Sequence, residues 1–432
     1  MRVLFTVSPW AGHYYPMVPL GWALQAAGHE VRVLCTPVGA PWVKGSGLLP
    51  VPLLNDYDNQ MFWSRLWHQQ RVLRGVALDT GLPLLHPLTG EVMARADEFD
   101  WPAYKKEHEY ELSSAWMAKA QQTMILAKVW QPDLIVHDMM STEGPFAAVF
   151  QNIPAVLHLW GPVGTEETDP SLKIVPDYSN GILQKLGVRQ RGREMIRYVL
   201  DPCPDSIAPP VKGTRLPIRY VPYNGPGEAP GWLLHPATRP RVCVVWGHTL
   251  SRFGQAAFLV PEILAALADL DVEVLVAINP KDVPFLGEVP DNAKVLEQFP
   301  INLLLPSCAA VVHHGGAGCV MSALVAGTPQ LAVPFESEQQ ANGQRVARAG
   351  AGLHLRAKGV DRTAIREAVV RLLEDPSFGA NALRLREELA ARPSPAEVVP
   401  VLEELARTGE PPARIDWDSL PTEKLIAEAR RG

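Results

Sequence analysis

The 432-residue chain lacks any apolar run close to the roughly 20 residues that span a bilayer, so no membrane helix is expected. It lacks a basic surplus. Its 40 Lys and Arg stand against 46 Asp and Glu, a net charge of −6, which argues against nucleic acid as a partner. Its five cysteines (Cys35, Cys203, Cys243, Cys308 and Cys319) form no CxxC pair, so neither a zinc site nor a disulfide framework is expected. An odd, scattered count suits a reducing compartment. Neither GxGxxG nor GxxxxGK[ST] occurs, which argues against NAD and ATP. Two DxD triplets, Asp56-Tyr57-Asp58 and Asp269-Leu270-Asp271, read as surface accidents, so no metal is implied. Met1-Arg2 runs straight into the apolar Val3–Val7 without a signal-type stretch, and a cytoplasmic protein is expected.

What is present is ample core material: 47% hydrophobic and 20% charged residues, over a length that suits two domains. The first 36 residues read strand, loop, helix, strand: Val3–Val7, Pro16–Ala27 and Val31–Leu34. The layout returns at Val242–Trp246, Phe258–Leu270 and Val272–Ile278. Two such openings imply an α/β protein with two doubly wound, Rossmann-like sheets facing one another. Ten prolines between Pro202 and Pro240 exclude helices and central strands there. The expected division is a first domain over 1–210, a proline-rich linker over 211–232, a second domain over 233–394, and a final helix and tail over 395–432. Tyr223–Gly227 is the expected hinge. Asp361 is placed to cap a helix over Arg362–Leu373, and Ser394-Pro395-Ala396-Glu397 spells a capping box. The tail from Glu410 to Gly432 has no assigned role.

The richest stretch is Val311-Val312-His313-His314-Gly315-Gly316-Ala317-Gly318-Cys319. A strand that breaks into glycines and then opens a helix builds an anion seat: the glycines admit a phosphate, and the unpaired N–H groups of the helix start point at it. The plain alternative is a glycine-rich turn with incidental histidines. Gly327-Thr328-Pro329-Gln330 and then Pro334, Glu338-Gln339 and Asn342 follow. Together these residues resemble the donor signature of inverting, family-one glycosyltransferases of the GT-B fold, and most of all the actinobacterial enzymes that decorate macrolide and other polyketide antibiotics. Two positions depart from that pattern. Cys319 stands for the usual Thr or Ser, and Glu338 for the usual Asp.

The resemblance implies two facing domains with a cleft between them, the last helix crossing back onto the first. It implies that His314 and the N–H groups of Gly316, Ala317, Gly318 and Cys319 hold the donor diphosphate, with Thr249 after the strand Val242–Trp246 as a further contact and Arg252 as a weaker one. Gln298 and Phe299 would receive the nucleobase, and Glu338 and Gln339 the sugar hydroxyls. The opening segment around Gly12-His13-Tyr14-Tyr15-Pro16 is similar to the family's motif whose histidine is the general base, a role carried here to His13. With an unperturbed pKa near 6.5, histidine suits that work at neutral pH. Asp138, ending the strand Asp133–His137, matches the supporting aspartate; Asp133 is expected at the far sheet edge and His137 as a satisfied strand histidine.

Nine of the twelve tryptophans precede residue 161, and flat aromatic walls suit a large apolar acceptor. Trp10, Tyr14, Trp63, Trp67 and Trp116 are the expected lining, with plain core packing as the alternative for any one of them. The expected reaction moves a sugar, TDP-linked or UDP-linked, to a hydroxyl of an apolar metabolite, with no cofactor beyond the nucleotide-sugar co-substrate. The alternatives are a nucleotide-sugar epimerase, a lipid glycosyltransferase, or a catalytically weak nucleotide-sugar-binding partner protein. The resemblance also implies, as macromolecular partners to test, a second copy of the chain or an activator protein; the segment Met61–Arg74 is the candidate contact for an activator, with a plain exposed helix as the alternative.

Overall fold

The computed structural model describes residues 1–54, 60–77, 79–172, 195–247 and 257–412. Among these, thirteen strands form two wholly parallel sheets. The first contains β1 (Arg2–Thr6), β2 (Glu30–Leu34), β3 (Leu49–Val51), β4 (Leu134–His137), β5 (Ala155–His158), β6 (Tyr198–Asp201) and β7 (Thr214–Pro217), in the order β3-β2-β1-β4-β5-β6-β7. The second contains β8 (Arg241–Trp246), β9 (Glu273–Ile278), β10 (Ala293–Glu297), β11 (Ala310–His313), β12 (Gln330–Ala332) and β13 (Gly352–His354), in the order β10-β9-β8-β11-β12-β13. Both orders reverse beside the first strand of the sheet, which opens a crevice at the carboxyl ends there. The inner strands are continuous apolar runs because helices cover both faces. Val3, Leu4 and Phe5 of β1 are fully buried, and every residue of β8 is buried.

Strand β7 corrects the expected linker. It lies inside the span 211–232, yet Thr214–Pro217 pairs in parallel with β6. The strand sits at the sheet edge, where a proline forfeits no ladder bond, so the rule against central strands holds while the boundary moves. The helix expected over Phe258–Leu270 is shorter, Val260–Leu267, with Pro261 in its first turn.

The chain leaves the first domain within one peptide unit. Tyr223 sets its ring edge-on against Tyr15 and Trp22, at centroid distances of 5.1 and 5.5 Å. Asn224 faces the other way: its Oδ1 accepts from Asn302 N at 3.0 Å and its Nδ2 donates to Ser322 Oγ at 3.2 Å. The helix Pro395–Thr408, opened by the Ser394–Glu397 capping box, returns to the first domain. Its Val398, Val399, Val401, Leu402 and Leu405 join one buried cluster with Leu20 and Leu24. Asp361 caps Arg362–Glu374 by accepting from Ala364 N.

A strap from the first domain grips the second. Arg345 lays its guanidinium on both oxygens of Glu167 at 2.9 Å each and also donates to Pro162 O. Both side chains are largely buried, at 16% and 6% exposure, so the pair is desolvated on either side. No helix among the described residues is long and apolar enough to cross a membrane.

Candidate active site

His13 lies on the one-turn helix Ala11–Tyr14, just beyond the carboxyl end of β1. Parallel pairing sets β4 beside β1, with Thr6 opposite His137, so the residues after the two strands meet. Asp138 does not reach the imidazole itself: Ser8 stands between them. Ser8 Oγ lies 2.8 Å from His13 Nδ1 and donates to Asp138 Oδ2 at 2.9 Å. A hydroxyl that gives its one hydrogen to the carboxylate can only accept from the ring, so His13 carries its hydrogen on Nδ1 and Nε2 is the basic nitrogen. Asp138, the expected supporting aspartate, thus connects to the imidazole through Ser8.

Asp138 is fully buried. Burial raises its pKa above the usual carboxylate value, and the donors around it work against that rise. Besides the Ser8 hydroxyl these are the N–H groups of Ser8 (2.6 Å), Met140 (2.7 Å) and Ser141 (2.9 Å). His137 is satisfied, as expected: Nδ1 binds Asp138 O at 2.9 Å and burial holds its pKa down at about 4. Asp133 accepts from Arg2 N at 2.6 Å, at the opposite end of β1.

In the second domain, β11 ends at His313, and the helix Ala317–Ala326 opens after two glycines. Gly315 adopts φ 88°, and a Cβ there would fall 2.6 Å from Gln339 O, so glycine is required twice over. Gly315 N donates to His313 Nδ1 at 2.8 Å, and Asn342 Nδ2 donates to Gly315 O at 3.0 Å. His313 is therefore neutral, its Nε2–H given to Gln330 Oε1 at 2.9 Å, with burial lowering its pKa to about 4. It is a structural strut. His314 is packed between glycines: a Cβ on Gly247 or Gly316 would come within 2.9 or 2.6 Å of its ring.

Gly316 is the N-cap of that helix, and neither it nor any acidic residue of the first turn gives the helix start a side-chain partner. The first N–H groups are thus available to an anion. A Cβ on Gly318 would meet no atom of the described residues within 4 Å, so among these residues space lies open above the first turn. Cys319 supplies no charge there, since burial pushes its thiol up to about 12.

One side chain joins the two halves, and sequence reasoning missed it. Trp160, after β5, stacks on His13 with ring centroids 3.7 Å apart and planes 5° apart. Its Nε1 donates to Glu338 Oε1 at 2.9 Å. The next residue, Gly161, is pressed on Ala317 so closely that an added Cβ would lie 2.6 Å from the alanine Cβ. Trp160 is one of the nine tryptophans of the first half, and nothing in its local pattern separates it from core residues.

Other expected residues divide. Tyr14 is not a pocket residue: it is 1% exposed, packs in the core below β1 and bonds Ser46 Oγ at 2.5 Å. Burial raises its phenol pKa. Gln339 is buried and its Oε1 accepts from Phe335 N at 2.9 Å, so it closes its own loop rather than presenting that oxygen to a sugar. Trp10 lies 6.1 Å from the His13 ring. Trp63 and Trp67 are partly exposed on the helix Gln60–Leu73, Trp63 edge-on to Phe62 and Trp101. From the same helix Arg71 nears Glu336 and Asp169; burial lowers its pKa and those carboxylates oppose the shift. Trp116 packs on Phe146 at 5.4 Å. Gln298 turns the chain after β10 with φ 49°, its side chain exposed and Phe299 half-buried beside it. Thr249, Arg252 and the triplet at 56–58 lie outside the described residues. Asp269 pairs with Arg366 on the surface.

Residues 22–247 match the family described as erythromycin biosynthesis protein CIII-like, N-terminal domain, and residues 261–405 match its C-terminal domain. Tylactone mycaminosyltransferase of Streptomyces fradiae is 33% identical to the chain, over 94% of this chain and 92% of its own length. Aclacinomycin-T 2-deoxy-L-fucose transferase of Streptomyces galilaeus is 35% identical, over 94% and 96%. Among solved structures, spinosyn rhamnosyltransferase SpnG complexed with thymidine diphosphate matches with a TM-score of 0.70 and 28% identity, over 93% of this chain and all of that one.

Proposed function

The chain belongs to the erythromycin biosynthesis protein CIII-like family of glycosyltransferases, and from that premise we propose its reaction: transfer of a deoxysugar from a TDP-sugar to a hydroxyl of an apolar polyketide-type aglycone, with inversion. The carrying observation is the adjacency of base and anion seat. His13 stacks on Trp160, and Gly161 touches Ala317 at the uncapped helix start.

His13 Nε2 takes the proton of the acceptor hydroxyl as its oxygen attacks the anomeric carbon. The bond from that carbon to the diphosphate oxygen breaks on the opposite face, and TDP leaves with the electron pair. His13 becomes an imidazolium whose Nδ1–H is held by Ser8, itself held by Asp138. The leaving diphosphate is stabilised by the N–H groups of Gly316, Ala317, Gly318 and Cys319 and by His314, so no metal enters the scheme. Gln298 and Phe299 take the base, and Glu338 the sugar hydroxyls. Trp10, Trp63, Trp67 and Trp116 stand as the aromatic acceptor lining. The free cysteines suit a cytoplasmic setting. The epimerase alternative finds no support in the named relatives, which are transferases.

The test pairs binding with turnover. His13→Ala is expected to abolish transfer while calorimetry still records TDP binding. Undiminished turnover removes the base, and silence toward both TDP and UDP removes the donor site.

A further inference from the structure

The family pattern places an aspartate where this chain has Glu338, and the structure supplies a reason for the longer side chain. Glu338 opens the helix Ser337–Arg348, and its Oε1 is engaged by Trp160 Nε1 at 2.9 Å. An indole N–H is a donor only, and Trp160 is 2% exposed, so its N–H needs an acceptor inside the protein. The indole cannot move to follow a shorter carboxylate. One face is stacked on His13, and the neighbouring Gly161 is pressed on Ala317. The strap that carries Trp160 is tied down further along by Arg345 on Glu167 and Pro162 O. An aspartate at 338, one methylene shorter, falls short of this fixed donor.

We propose that Trp160 is a positioning residue for the donor sugar: by occupying Oε1 of Glu338 it sets the plane of that carboxylate, and by stacking on His13 it keeps the sugar-binding group in register with the base. The proposal rests on the reading of Glu338 as a sugar ligand. The residue acts through Glu338.

Calorimetry with two probes, TDP and TDP-glucose, on wild type, Trp160→Phe, Glu338→Ala and the double variant tests it. Phenylalanine keeps an aromatic face for His13 and removes the indole donor. TDP affinity is expected to stay within twofold in all four proteins, which also reports that the fold is intact. TDP-glucose is expected to weaken about tenfold in Trp160→Phe, the worth of one hydrogen bond to a charged group. The double variant is expected to match Glu338→Ala alone, because the two side chains act as one unit. Equal loss for TDP and TDP-glucose in Trp160→Phe overturns the proposal in favour of a packing role. Full TDP-glucose affinity in Trp160→Phe, or losses that multiply in the double variant, overturns the coupling while leaving Glu338 as a sugar ligand. Full affinity in Glu338→Ala overturns both the proposal and that underlying assignment.

Discussion

Ser8→Ala isolates the relay behind the base. The substitution removes one oxygen with two bonds, 2.8 Å to His13 and 2.9 Å to Asp138. Asp138 retains the N–H groups of Ser8, Met140 and Ser141, so the cost to stability is expected to be about 1 kcal/mol. The larger loss falls on the transition state. The Nδ1–H of the forming imidazolium loses an acceptor that is itself bonded to a buried carboxylate. A bond of this charge-assisted type is worth about 1.5 to 3 kcal/mol, equivalent to roughly 10- to 150-fold in kcat/KM. Initial rates of TDP release with one accepted aglycone measure it, alongside TDP affinity, which is expected to be unchanged. Asp138→Asn is expected to lose at least as much, and the double variant little more than Asp138→Asn alone, since the groups act in series. A Ser8→Ala enzyme within twofold of wild type refutes the relay.

Gly318→Ala is expected to fold at least as well as wild type, because alanine favours a helix by about 1 kcal/mol and its methyl meets no atom of the described residues. TDP binding is expected to weaken by more than tenfold as that methyl enters the space above the helix start; unaltered affinity in a calorimetric titration places the diphosphate elsewhere. Tyr14→Phe is expected to lower stability by about 1 kcal/mol through loss of the Ser46 bond and to leave kcat/KM unchanged. A selective loss of acceptor affinity restores Tyr14 to the pocket. His137, His158 and His313 are buried with pKa values lowered to about 4 from an unfolded value near 6.5. Between those limits the unfolded chain binds protons that the folded chain refuses, so stability is complete above about pH 6.5 and falls as pH drops toward 4. A melting temperature that holds steady from pH 7 to 5 in scanning calorimetry contradicts this.

The parts of the site legible in the sequence are those that a strand end positions. His13 and Asp138 follow β1 and β4, and a parallel sheet brings adjoining strand ends together whatever the intervening 120-odd residues do. The helix start after His314 is legible for the same reason. Ser8 was not, because a serine in a loop has no distinguishing pattern until the register of β1 on β4 is known. Tyr14 went wrong by one residue: neighbours on a helical turn point about 100° apart, so when His13 faces the cleft Tyr14 faces the core. Trp160 depends on a contact to Glu338 across the domain boundary, 178 positions away, and local periodicity holds no trace of such a pairing. The linker was misjudged at β7 because proline was weighed without knowing which strand lies at the edge.

The place where Tyr223 faces one way and Asn224 the other prescribes how hybrids between relatives ought to be spliced. A seam between those two residues leaves the tyrosine ring with Tyr15 and Trp22, and the amide with Asn302 and Ser322. The end of the chain must nonetheless travel with the front parent. Val398, Leu402 and Leu405 share a core with Leu20 and Leu24, Glu403 bonds His29, and Gly409 accepts from Tyr198. A two-piece graft cut only once therefore imports a mismatched plug into the recipient's interior; a faithful exchange needs a second crossover ahead of Ser394.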